Sequence, residues 1–299
     1  MLITILLVST SAAAALAVGG AAMLALYPLL PADLGGAPNL DRRARRVRVP
    51  LAGGDAIDGW HLAGTRDSVV VLFHGFGRTH HRAWRYAAFL ERQGHHVVTV
   101  DFRSSRWRDR KPTTLGHFEM DDARATLEWV RREPSLAGMP IGVMGESLGG
   151  AVALTLAAEA ADVRAVVADC AFASGRRALE ESCERWARLP AQPSASLLRS
   201  LGRALTGQDP WALDPAAAAT RLSDRPLFLI HGERDNRLSP AQARELWQAA
   251  GAKDPLWIVP GVGHNQAWLA HRELYEERVA AFFGRHLLDE GAGLPGGPL

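Results

Sequence analysis

From Leu2 to Leu30 the chain carries no charged residue, enough apolar length for a helix of about 20 residues to cross a bilayer. The missing basic n-region and the length favour an uncleaved anchor over a cleaved signal peptide or a buried helix. A Pro/Gly-rich linker, residues 31–44, follows. Then the pattern shortens. Arg46–Leu51 and Ile57–Ala63 alternate polar and apolar positions around Gly53-Gly54-Asp55, which predicts a hairpin. Ser68–Phe73 is a continuous apolar run and suits a strand buried on both faces.

From there strands and helices alternate. Strands are predicted at 97–102, 141–145, 163–169, 226–230 and 256–259. Helices are predicted at 84–93, 119–132, 148–160 and, amphipathic to the end, 268–288. Such alternation implies an α/β fold, a mostly parallel central sheet flanked by helices. Residues 174–224 interrupt it, with four prolines, two tryptophans and no convincing strand, and predict a small helical lid inserted in the domain. The layout is therefore an anchor at 1–30, the linker, a single domain at 45–288, and a disordered tail at 289–299.

Composition changes this picture little. The formal net charge is +2, and the basic residues are spread among acids. That gives no reason to expect nucleic acid as a partner. Cys170 and Cys183 are too few for a disulfide framework or a zinc site, and leave open free thiols or one bridge. His80-His81 and His95-His96 lack further ligands at zinc spacing, so no metal is expected. His117, Glu119, Asp121 and Asp122 fit better as the acidic opening of a helix. Arg42, Arg43, Arg45, Arg46 and Arg48 follow the apolar run, and the positive-inside rule then puts the domain on the cytoplasmic side. Arg103 to Lys111 is a basic loop, solvated or facing an acidic substrate or lipid headgroups.

The chemistry starts at Gly145-Glu146-Ser147-Leu148-Gly149, which is G-x-S-x-G between a predicted strand and a predicted helix. The glycines permit a sharp turn that lifts the serine hydroxyl clear of the sheet, and the helix aims its first N–H groups at it. A serine hydroxyl needs a base. His264, in a Gly-rich loop after a strand, is the candidate, whereas His271 and His286 fall in the last helical pattern and His231 ends a strand. The acid is Asp235, with Glu233 and Asp169 as rivals. Oxyanion donors are expected from the backbone N–H groups of Leu148 and Phe76, the latter in the His74-Gly75-Phe76-Gly77 loop.

HGFG (74–77), DFRSS (101–105), GHFEMDD (116–122), GESLGG (145–150), HGERD (231–235) and PGVGH (260–264) occur in that order. Together, over residues 45–288, they resemble the α/β-hydrolase superfamily, and with the apolar N-terminus they resemble its membrane-anchored members. The resemblance implies the α/β-hydrolase fold and a triad of Ser147, Asp235 and His264. Relatives often have glycine where Ser104 or Ser105 stands. The expected activity is a cofactor-independent serine hydrolase acting on esters or thioesters, on a small-molecule or lipid-like acyl substrate. A peptidase or acyltransferase with the same triad, and a non-catalytic membrane-bound binding protein, are the alternatives.

Overall fold

The computed structural model describes residues 38–105, 111–222 and 224–288. The predicted anchor and tail lie outside the described residues. Among the described residues, no helix is long and apolar enough to cross a membrane.

The hairpin strands are β1 (Arg45–Pro50) and β2 (Ala56–Leu62). They are followed by β3 (Val69–Phe73), β4 (His96–Val100), β5 (Ile141–Glu146), β6 (Val163–Asp169), β7 (Leu227–Gly232) and β8 (Trp257–Val259). They form one eight-stranded sheet in the order β1-β2-β4-β3-β5-β6-β7-β8. The pairs β1/β2 and β2/β4 are antiparallel and every other pair is parallel.

Period-two alternation splits the core in two. Val69, Val71 and Phe73 of β3 face one side, with Leu227 and Leu229 of β7. Val70 and Leu72 face the other, with Phe228 and Ile230. Every residue of β3, β5 and β7 is buried, as a strand covered by helices on both faces must be. The first face is covered by α3 (His117–Arg132) and α4 (Leu148–Glu159), through residues such as Leu127 and Val152. The second is covered by α2 (His80–Arg92) and α10 (Arg272–Leu287), through Trp84, Tyr275 and Phe282.

Three boundaries differ from the sequence reading. The stretch read as linker is helical at Pro38–Arg43 (α1), where Leu40 is buried against the second core face. The helix predicted from residue 84 starts at His80, because Asp101, at the end of the neighbouring β4, accepts the His80 N–H at 2.6 Å. After α8 (Pro240–Ala249), the last helix is two, α9 (Ala267–Ala270) and α10, broken where His271 takes a non-helical φ/ψ of −135°/52°. The apolar period runs across that break, so periodicity does not reveal it.

The segment between β6 and β7 contains α5 (Gly175–Glu181), a π-helical turn (Ser182–Trp186), α6 (Ala191–Thr206) and α7 (Pro215–Ala219). Leu179, Cys183 and Ala195 form its own small core, with Trp211 packed on it. The two tryptophans therefore part company. Trp211 fills this core, while Trp186 is 59% exposed.

The parallel strands bring the residues of interest to one sheet edge. A Cβ on Gly145 would lie 2.1 Å from the Gly149 carbonyl oxygen, and one on Gly149 would lie 2.2 Å from that of Phe73. Both glycines are needed because backbone packs directly on backbone at the turn. Gly149→Ala is expected to cost about 3 kcal/mol by overpacking, lowering Tm by roughly 6–12 °C for a domain of this size in a thermal melt.

Candidate active site

Ser147 stands between β5 and α4 with φ 53° and ψ −118°. A non-glycine residue held in that region is strained, and only the surrounding structure keeps it there. Two contacts do so. The Ser147 N–H donates to the Asp169 carbonyl at the end of β6, at 2.7 Å. Gly75 is so close that a Cβ there would meet the Ser147 Cβ at 3.4 Å.

The Ser147 Oγ lies 3.0 Å from His264 Nε2, and His264 Nδ1 lies 2.6 Å from Asp235 Oδ2. An ionised Asp235 only accepts, so Nδ1 carries the proton and Nε2 accepts from the serine hydroxyl. Neighbouring backbone fixes this alignment. The Glu233 and Arg234 N–H groups donate to the carbonyls of Val259 and Val262, lacing the Asp235 loop to the His264 loop. Gly232 makes the approach possible, since its Cβ would stand 2.5 Å from the Gly263 oxygen.

Asp235 is fully buried, yet none of its acceptor capacity is wasted. Oδ1 takes the N–H groups of Arg237 and Leu238 at 2.8 and 2.9 Å, the turn role such a residue often plays. Oδ2 takes His264 and lies 3.3 Å from His231 Nε2. Burial pushes the carboxyl pKa up, but the hydrogen bonds from His231 and His264 prevail and hold it well below the usual carboxylate range. The rivals sit elsewhere. Glu233 is exposed and accepts from the Gly261 N–H at 2.9 Å. Asp169 is buried and accepts from the Tyr275 hydroxyl at 2.9 Å. His271 is exposed, and His286 lies beside Asp254.

Asp235→Asn keeps the shape but removes the charge that selects this His264 tautomer. Its kcat is expected to fall roughly 10⁴-fold, the size seen for the equivalent change in a serine protease, with KM nearly unchanged. Steady-state ester hydrolysis checks this.

The two expected oxyanion donors flank the serine. Leu148 opens α4, so its N–H has no acceptor within the helix. Phe76 lines the same cleft as Ser147. Its loop is held by buried His74, whose Nδ1–H donates to the Gly75 carbonyl at 2.8 Å while Nε2 accepts the Phe102 N–H at 3.2 Å. Burial lowers the His74 pKa, which keeps the ring neutral as this pattern requires.

Sequence reasoning missed the layer beneath. Glu146, the variable residue before the serine, is buried and ion-paired to Arg85 and Arg82 of α2. The Tyr86 hydroxyl also donates to it, at 3.0 Å. Burial alone would raise the Glu146 pKa, but the two arginines and Tyr86 hold it at about 2. Arg82 also reaches the Asn265 carbonyl at 3.4 Å, next to His264. His231 under Asp235 was likewise missed. A glutamate at that variable position and arginines three apart on a helix were the only sequence signals.

Other predicted features have settled partners. Glu119 accepts from Ser104, Thr113, Thr114 and the Gly116 N–H, and Arg103 pairs with buried Asp122. Residues 106–110 of the basic loop lie outside the described residues. Cys170 and Cys183 are both free and buried. Among the described residues, Cys170, Asp235 and His264 are close enough to share an ion, but the last two are already bonded to each other.

These features define a class. A family model described as the alpha/beta hydrolase fold matches residues 68–195, and the chain has the α/β-hydrolase fold. It is 29% identical over 256 residues to an uncharacterized protein of Mycobacterium tuberculosis, covering 84% of this chain and 81% of that one. It is 22% identical over 250 residues to the uncharacterized protein YfhR of Escherichia coli, covering 80% of each. Among solved structures, the Pyrococcus furiosus esterase Pf2001 superposes with a TM-score of 0.69 at 23% identity, over 84% of this chain and 95% of that one. The Pyrococcus horikoshii acylaminoacyl peptidase gives 0.61 at 18%, over 84% of this chain and 42% of that one.

Proposed function

We propose that this protein is a serine hydrolase that cleaves carboxylic ester or thioester bonds through an acyl-enzyme on Ser147. The observation that carries this reading is the continuous chain of contacts from Ser147 through His264 to Asp235, at 3.0 and 2.6 Å. Ser147 Oγ attacks the acyl carbon while His264 Nε2 takes its proton. The N–H groups of Phe76 and Leu148 stabilise the oxyanion of the tetrahedral intermediate. The intermediate collapses with loss of the alcohol or thiol, which receives the proton from His264. Water, deprotonated by the same imidazole, then attacks the acyl-enzyme and releases the acid. Asp235 holds the imidazole and stabilises its cation. No step requires a cofactor.

The uncharged run Leu2–Leu30 supports a site held near a membrane, and the arginines after it favour the cytoplasmic side. The likeness to a peptidase structure favours a second reading, amide cleavage by the same triad. Turnover of p-nitrophenyl esters against matched acyl p-nitroanilides separates the two. Ester hydrolysis well above background with negligible anilide cleavage is expected. Faster anilide cleavage, or no ester turnover at all, would overturn the ester reading.

A further inference from the structure

His231 breaks the pattern of its own strand. Period-two alternation along β7 puts it on the same face as Leu227 and Leu229, which belong to the first core. An apolar side chain is expected at such a position. An imidazole stands there instead, with no exposed surface. Its Nδ1 is buried and has no hydrogen-bond partner among the described residues. A polar group buried in this way is costly unless it makes a contact that an apolar one cannot. The proton path from Ser147 through His264 to Asp235 does not pass through it.

The other ring nitrogen makes that contact. His231 Nε2 lies 3.1 Å from the Leu238 carbonyl oxygen and 3.3 Å from Asp235 Oδ2. Both oxygens are acceptors, so Nε2 carries the ring proton and Nδ1 keeps a bare lone pair. Leu238 in turn gives its N–H to Asp235 Oδ1 at 2.9 Å. His231 therefore holds the acid at both oxygens, Oδ2 directly and Oδ1 through Leu238. The contact with Leu238 also closes the turn 235–238 around the carboxylate. His264 Nδ1 lies 2.6 Å from the same Oδ2, so both imidazoles meet on one oxygen. His231 is itself fixed in the sheet, in register with Ile258 of β8, the strand that leads to the His264 loop.

We propose that His231 is a positioning residue for the reaction, acting through Asp235 by holding Oδ2 toward His264 Nδ1. This rests on the serine-hydrolase reading. The terminal torsion of an aspartate is soft, and without the second imidazole the carboxylate can turn about it. His264 then loses its alignment with Ser147, and a misplacement of about 1 Å at such a site can cost 100-fold in rate. Glutamine can replace the donor, because its amide nitrogen reaches the place of the imidazole Nε2. Leucine fills a similar volume and offers no donor.

The test is a set of variants assayed on a short-chain p-nitrophenyl ester, each with its melting curve. His231→Leu is expected to lower kcat by roughly 10- to 100-fold, with KM changed by less than about twofold. His231→Gln is expected to restore kcat to within about threefold of wild type. In an Asp235→Asn background, His231→Leu should cost less than about threefold, because the charge it positions has already gone. A histidine that only fills the core gives another result, the same loss in both backgrounds and no advantage for glutamine over leucine. Either of those outcomes in folded protein overturns the proposal, and so does a folded His231→Leu whose kcat stays within about threefold of wild type. Should the leucine variant fail to fold, His231→Asn takes its place under the same criteria. The shorter amide puts its nitrogen where Nδ1 stood, out of reach of Asp235. These outcomes leave the hydrolase reading standing as long as wild-type turnover depends on Ser147. No Ser147-dependent turnover of any ester sinks that reading, and this proposal with it.

Discussion

Ser147→Ala is expected to reduce kcat for a short-chain ester by about 10⁴- to 10⁶-fold, toward the uncatalysed rate. The size follows from the geometry. His264 Nε2 has the Ser147 hydroxyl as its partner at 3.0 Å, and among the described residues no other side-chain nucleophile is hydrogen-bonded to it. Cys170 is close to the imidazole but is fully buried, and its pKa is driven well above the ordinary thiol value by burial and by the neighbouring carboxylates. It is therefore a poor substitute. The residual rate comes from the oxyanion donors and binding alone, which the substitution leaves in place. Folding should be little changed. Alanine removes one half-buried oxygen, and the turn keeps its backbone bonds from Ser147 N to Asp169 and from Ala151 N to the Ser147 carbonyl. Parallel assays of ester turnover and thermal melting separate lost chemistry from lost fold. A variant retaining more than about one hundredth of wild-type kcat would contradict the nucleophile assignment.

The largest effect on stability is expected one residue earlier. Glu146→Ala removes the counter-charge of Arg85, whose side chain is 4% exposed. Arg85 Nε and Nη1 are already buried without partners among the described residues, so little is left to solvate its charge. Breaking a buried pair in this way costs about 3–5 kcal/mol, a fall in Tm of roughly 10 °C or more. The penalty comes from the stranded cation rather than from the pair itself. Converting both partners, with Glu146→Leu and Arg85→Met, should therefore recover much of the loss. Arg82 is 22% exposed and can turn to water in the double variant.

The pH dependence has a definite sign. The folded Glu146 carboxyl is held near 2, below its ordinary value of 4.5. Its stabilising contribution is full above the unfolded value and is lost as pH falls through the window from about 4.5 to 2. Urea melts at pH 6 and pH 3 should show wild type losing more stability on acidification than the double variant.

The sheet was legible because its strands are continuous apolar runs, such as Val69–Phe73, and its hairpin has period-two alternation over Arg45–Pro50. The candidate site was legible as a cluster because Ser147, Asp235 and His264 each follow a strand within a contiguous motif. What stayed hidden depends on partners distant in sequence. The start of α2 is set by Asp101, 21 residues on, because Thr79 makes no side-chain cap of its own. Glu146 meets Arg85 across 61 positions. The short α1 is held by burial of Leu40 against the core, which a Pro/Gly-rich composition conceals. The departure of Trp186 from Trp211 depends on how the helices between β6 and β7 pack, and local pattern says nothing of that.

The central claim is that His264 and Asp235 make the Ser147 hydroxyl nucleophilic. Intact-mass analysis after treating the folded protein with a fluorophosphonate tests it most directly. The account predicts a single covalent adduct on the wild type, strongly slowed in His264→Ala and absent in Ser147→Ala. No adduct on the folded wild type, or equal labelling of Ser147→Ala, would contradict it.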